Sequence, residues 1–168
     1  MNDSLFAILT FASALGCGLN AGVFFTFSSF VMKALARLPP PQGIAAMNSI
    51  NILAVTPLFM TALFGTAAAC LLLAVWTLAR WPGPAGLFLL LGTLFYLAGT
   101  ILVTIVFNVP RNDALAAVNP SSDEGARLWA DYLRSWTAWN HVRTIAALVA
   151  TALLMVGLLL FTTGDRLR

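Results

Sequence analysis

The chain has 168 residues, 60% of them hydrophobic and only 9% charged, with a net charge of +3 and a mean hydropathy of +0.90. Soluble domains run at about 45–50% apolar and about 25% charged residues. So little charge cannot coat a water-facing surface, which argues against a soluble enzyme, a disordered chain and a nucleic-acid-binding domain. The expected surroundings are a lipid bilayer.

No charge falls between Ser4 and Met32, Leu38 and Ala79, Trp81 and Pro110, or Thr144 and Gly164. Each gap can hold the roughly 20 apolar residues that a membrane helix needs. The expected fold is an all-α integral membrane protein: one domain, residues 1–168, folded as a four-transmembrane-helix bundle. The start lacks a positive n-region and its apolar run is long, so it reads as a span rather than a cleavable signal.

The first span is expected over residues 5–32. Ala14, Gly18 and Gly22 recur every four residues, a small-residue stripe suited to close helix packing. Asn20, in mid-span, needs a polar partner there. After Pro39, Pro40 and Pro41, residues 42–51 read as a short interfacial helix with Asn48 and Asn51 on one side. Pro57 opens the second span, residues 56–79, and a Pro/Gly turn leads to the third, residues 87–108. Tyr96, Thr100, Thr104 and Asn108 share one face of that span, and Asn108-Val-Pro110 is expected to end it. Ser121-Ser-Asp-Glu124 reads as a capping box opening an amphipathic helix over residues 122–140. Arg127 and Asp131 are spaced to pair on it. The fourth span is expected over residues 142–162, and the tail from Asp165 to Arg168 in water.

With four antiparallel spans, Asn51, Asn108, Asn140, His141 and Arg143 fall at one membrane level, beneath a helix rich in Trp and Tyr. Eight of the fifteen charges lie between Arg111 and Arg143. Lys33, Arg37, Arg111, Arg127, Arg134 and Arg143 oppose Arg80, Arg166 and Arg168, a raw count that places the long connections in the cytoplasm. Setting aside Arg111 and Arg143, whose positions suit chemistry, leaves orientation open. The single histidine rules out a two-His-one-carboxylate or three-His metal site within one chain. Cys17, Cys70, Asp113 and the methionines do not cluster by spacing. A neutral imidazole can take a proton, and Asn and Arg can steady a developing oxyanion. An interfacial histidine bonded to a carbonyl is the plainer alternative.

Gly22-Val-Phe-Phe-Thr-Phe-Ser28, Ala46-Met-Asn-Ser-Ile-Asn51 with Pro57 following, Asn108-Val-Pro-Arg-Asn-Asp-Ala-Leu115, and Trp129-Ala-Asp-Tyr132 leading to Trp136-Thr-Ala-Trp-Asn-His-Val-Arg-Thr144 resemble the anthrone oxygenase family over nearly the whole chain. These are small four-span membrane proteins, many of them bacterial. The resemblance implies an oxidoreductase in a bacterial inner membrane, converting an anthrone-like or phenolic polyketide-type substrate to a quinone with O₂ as co-substrate and no cofactor. On that reading His141 is the base, while Asn108, Asn140 and Arg143 orient and stabilise. Tyr132, Trp136 and Trp139 wall a flat slot, which Asn20 and Asn51 line or brace, with Tyr96, Thr100, Arg111 and Asn112 as further substrate contacts. Arg111 stands where an apolar residue is common in the family, and Asn48 where Gln is. Two other readings stay open: a metal or haem redox protein with His141 as ligand, and a non-catalytic module that binds a lipid, a quinone or a protein partner. A homo-oligomer is equally open.

Overall fold

The computed structural model of the chain describes residues 3–165, with side chains through residue 163. Met1, Asn2, Arg166, Leu167 and Arg168, used above to judge the chain's start, orientation and tail, lie outside them. The described residues are helical apart from the short connections and contain no strand. Four helices are long and apolar enough to cross a membrane: α1 (Asp3–Leu35), α3 (Pro57–Arg80), α4 (Pro84–Ala117) and α5, which runs Asp123–Asp165. A shorter helix, α2 (Pro40–Ala54), joins α1 to α3. This is the expected four-helix membrane bundle with helical segments in its first and third connections.

Several local boundaries differ from the expectation. Pro110 does not end α4, which runs on to Ala117. A proline in a helix leaves the carbonyl four residues back without its donor. Here a π-helical stretch, Thr104–Asn108, comes just before it and already departs from the α-helical ladder, so the chain passes the proline without breaking. The helix N-cap expected at Ser121 falls one residue later. Ser122 Oγ accepts from Gly125 N at 3.0 Å, and Asn119 Oδ1 accepts from Ser121 N. Asp131 pairs with Arg134 at 3.5 Å rather than with Arg127, both partners being exposed.

Small residues set the helix spacing, but at other positions than Gly18 and Gly22. A Cβ at Gly22 would meet nothing within 4 Å, and one at Gly18 only an ordinary contact with Thr151. A Cβ at Gly16 would instead overlap Thr66 Oγ1, and one at Gly99 the Ala146 methyl. Of the periodic stripe only Gly22 faces outward, Ala14 being in the core; the close crossing of α1 with α3 uses Gly16, and that of α4 with α5 uses Gly99.

Two cores result. The membrane core gathers Phe6, Cys17, Ala21, Cys70, Leu73, Leu89, Tyr96, Ala147 and Leu154. A second core sits at the end where α2 lies, from Met32, Leu35, Ile44, Met47, Leu115, Trp129, Tyr132 and Trp136. It joins α2 to the overhanging ends of α4 and α5 and roofs the bundle.

Candidate functional site

A cavity of about 530 Å³ lies beneath that roof, within the roughly 300–1,000 Å³ typical of small-molecule sites. Its wall is almost wholly apolar, with Phe24 and Phe27 from α1, Met47 from α2, and Phe59 and Leu63 from α3. The polar side chains on it are Asn51, Thr104, Asn112, Trp136 and Arg143.

Arg143 dominates its electrostatics. The residue is 5% exposed. Its NH2 donates to Asn140 Oδ1 at 2.7 Å and its NH1 to Thr104 Oγ1 at 3.2 Å. The guanidinium lies 4.4 Å from the Phe24 ring centroid and 5.2 Å from that of Trp136. Such ring contacts give a desolvated cation about 2 kcal/mol, less than the several kcal/mol that burying an ion costs. No carboxylate pairs with it among the described residues. Its Nε has no partner, nor do Trp136 Nε1 and Asn51 Nδ2. Those three nitrogens are themselves shut off from water, but the cavity lining keeps a buried cation, Arg143, with no counter-charge among the described residues. The missing counterpart is an acceptor, best an anionic one.

Asn140 is positioned for this role from behind. Its Nδ2 donates to Phe24 O and Ser28 Oγ, each at 2.8 Å, which fixes the amide so that its oxygen meets Arg143. The ladder of α5 supplies the register: Trp136, Asn140 and Arg143 follow at four and three residues and share one face.

His141 stands elsewhere. It is exposed and lies off the cavity wall. At 100° per residue it points about 160° away from Arg143 around the same continuous helix. Grouping residues by membrane level had joined it to its neighbours; the helical phase separates it from them. Trp139 is also turned away and stacks on Phe107 at 3.6 Å between centroids. Arg111 does not reach the cavity, its Nε donating to Ser135 Oγ and its NH1 to Phe107 O, which ties α4 to α5.

The remaining residues singled out from sequence surround the cavity without lining it. Asn20 Nδ2 donates to Gly16 O and Ala62 O, and Tyr96 OH to Leu63 O at 3.0 Å. Ala62 O and Leu63 O belong to Thr61–Gly65, a π-helical stretch of α3 whose carbonyls are displaced from the regular ladder. Asn20 and Tyr96 therefore brace that stretch from α1 and α4. Asn108 Nδ2 donates to Trp136 O at 3.2 Å, and Thr100 Oγ1 reaches Arg143 O at 3.5 Å. Tyr132 stacks between Trp129 and Trp136 and donates to Asn112 Oδ1 at 2.8 Å, closing the roof. Asn51, Asn112, Trp136 and Arg143 are thus the sequence candidates that meet at the wall. Phe24, Phe27, Met47 and Phe59 went unassigned, because an apolar residue in a membrane helix gives no sign of whether it faces lipid or a cavity. The π-helical turns on α1, α3 and α4, a device frequent at functional sites, carry no sequence signature either.

Among the described residues no three His, Cys, Asp or Glu side chains converge on a point that could hold a metal. The sequence model of the anthrone oxygenase family matches residues 57–153, more than half of the chain. No curated protein and no solved structure matches it. The chain belongs to the anthrone oxygenase family.

Proposed function

We propose that this member of the family is a membrane oxidoreductase that binds an anthrone-like or phenolic aromatic molecule as its anion against Arg143 and delivers it to O₂. The observation that carries this reading is the buried, carboxylate-free Arg143 at the wall of an aromatic-lined cavity. A flat polycyclic enolate or phenolate fits that lining, its rings against Phe24 and Phe27 and its oxygen toward Arg143.

The net reaction is R₂CH₂ + O₂ → R₂C=O + H₂O. Loss of a methylene proton leaves a carbanion whose charge spreads through the rings onto the carbonyl oxygen. The Arg143 guanidinium stabilises that oxygen. The electron-rich anion reduces O₂ and the two join as a peroxide, which takes up a proton. Loss of water from the resulting hydroperoxide forms the new carbonyl. The described cavity wall carries neither carboxylate nor imidazole. The protein's part is accordingly to favour the anion electrostatically, with the proton leaving to water, rather than to hold a dedicated base. No cofactor enters this scheme, and a bacterial inner membrane is the location proposed with it.

The same absence of a base favours a second reading, a module that holds a quinone or phenolate without turning it over. O₂ uptake by purified, folded protein with dithranol or emodin anthrone separates the two. Uptake above the spontaneous rate, lost in Arg143→Met, supports the oxygenase; binding of the anion without uptake supports the module.

A further inference from the structure

The cavity has a closed side and an open side. Towards the overhanging ends of α4 and α5 it is shut by the stacked Trp129, Tyr132 and Trp136 and by the Tyr132–Asn112 hydrogen bond. Its exposed lining residues are Leu53, Val55, Phe64 and Val109, all apolar; Leu53 and Val55 are 68% and 70% exposed. Leu53 and Val55 sit where α2 turns into α3, Phe64 two turns into α3, and Val109 on α4. The first turn of α3, Pro57–Met60, turns Phe59 and Met60 to the cavity and leaves Pro57 and Leu58 exposed. Beside the opening Ile52 and Leu58 are 75% and 84% exposed. A mouth rimmed in this way would be costly against water and is at home in hydrocarbon.

We propose that the cavity is filled sideways from the bilayer, through a portal between the α2–α3 corner and α4 around Val109, by a lipid-dissolved aromatic acid of the phenol or enol class. This rests on the reading of the cavity as the substrate site. The acidic oxygen enters last and ends at Arg143, which is buried whereas the mouth residues are exposed. A molecule that partitions into the membrane is concentrated at the mouth before it binds. The same geometry suits release of a flat apolar product back into lipid.

Two measurements test this, and they fail separately. Nitroxide labels on Val55→Cys and Phe64→Cys in phosphatidylcholine bilayers, with native Cys17 and Cys70 both buried, should be relaxed strongly by O₂ and weakly by a water-soluble nickel chelate. Stronger relaxation by the chelate places the mouth in water and overturns the proposal, whatever the cavity binds. Stopped-flow binding of 1-hydroxyanthraquinone to the bilayer-embedded protein supplies the second test. Val55→Trp and Leu53→Trp should slow association and dissociation alike by about tenfold, the paired change that a narrowed path produces. Unchanged rates in both variants overturn the portal. Loss of 1-hydroxyanthraquinone binding in wild-type protein, with lipid-facing labels, instead overturns the site reading and leaves the lipid-facing mouth standing.

Discussion

Replacing Arg143 by Met separates a binding role from a structural one, because a structural role predicts a large loss of stability and a binding role a small change. The side chain is 5% exposed and holds Asn140 Oδ1 at 2.7 Å and Thr104 Oγ1 at 3.2 Å. Its removal leaves the Asn140 oxygen without that donor, a cost of about 1–3 kcal/mol, and forfeits ring contacts worth up to about 2 kcal/mol. Against this stands the desolvation of a lone guanidinium, several kcal/mol that methionine does not incur. These terms nearly cancel, so folding stability should change by less than about 2 kcal/mol in either direction. Binding of an anionic aromatic has no such compensation. A charge-assisted contact in a dry site lost without replacement costs about 3 kcal/mol, which is about 150-fold in affinity. The assay pairs thermal unfolding in detergent with titration of a hydroxyanthraquinone and O₂ uptake. A variant that unfolds readily, or one that binds the anion within threefold of wild type, would refute the reasoning.

His141→Ala should leave O₂ uptake and anion binding within about twofold, since His141 is exposed and off the cavity wall and surface substitutions act weakly; a hundredfold loss would restore the histidine as a base. Asn20→Leu removes the donor to Ala62 O and should lower stability by about 1–3 kcal/mol, with faster hydrogen exchange confined to residues 61–65 as the signature of a loosened π-helical turn. Gly16→Ala forces a Cβ onto Thr66 while Gly22→Ala meets open space, so the first should destabilise by about 1–3 kcal/mol and the second by less than about 0.5 kcal/mol in the same unfolding assay.

Composition and charge gaps carried the architecture, since a bilayer forces backbone groups into helices whatever the side chains do. Proline positions proved less decisive: Pro57 and Pro84 begin helices, whereas Pro110 is absorbed behind a π-helical stretch that no residue pattern announces. At the site, Asn51 and Arg143 were legible as polar residues at one membrane level, and Trp136 and Asn112 through the family resemblance. His141 was misplaced because level along a span and direction around it are separate coordinates, and its chemical versatility outweighed its phase. Asn20 and Tyr96 were visible as polar groups needing partners, but their partners are backbone carbonyls of another helix, which a sequence does not display.

The central claim is that the cavity holds an oxyanion against a buried arginine. The most direct measurement is the visible pH titration of 1-hydroxyanthraquinone bound to the bilayer-embedded protein, set against the same molecule in protein-free vesicles. The account predicts that the bound phenol ionises at least about one pH unit lower, equivalent to about 1.4 kcal/mol in favour of the anion, and that Arg143→Met abolishes the shift. A bound phenol that ionises at the same pH as in vesicles, or higher, would contradict it.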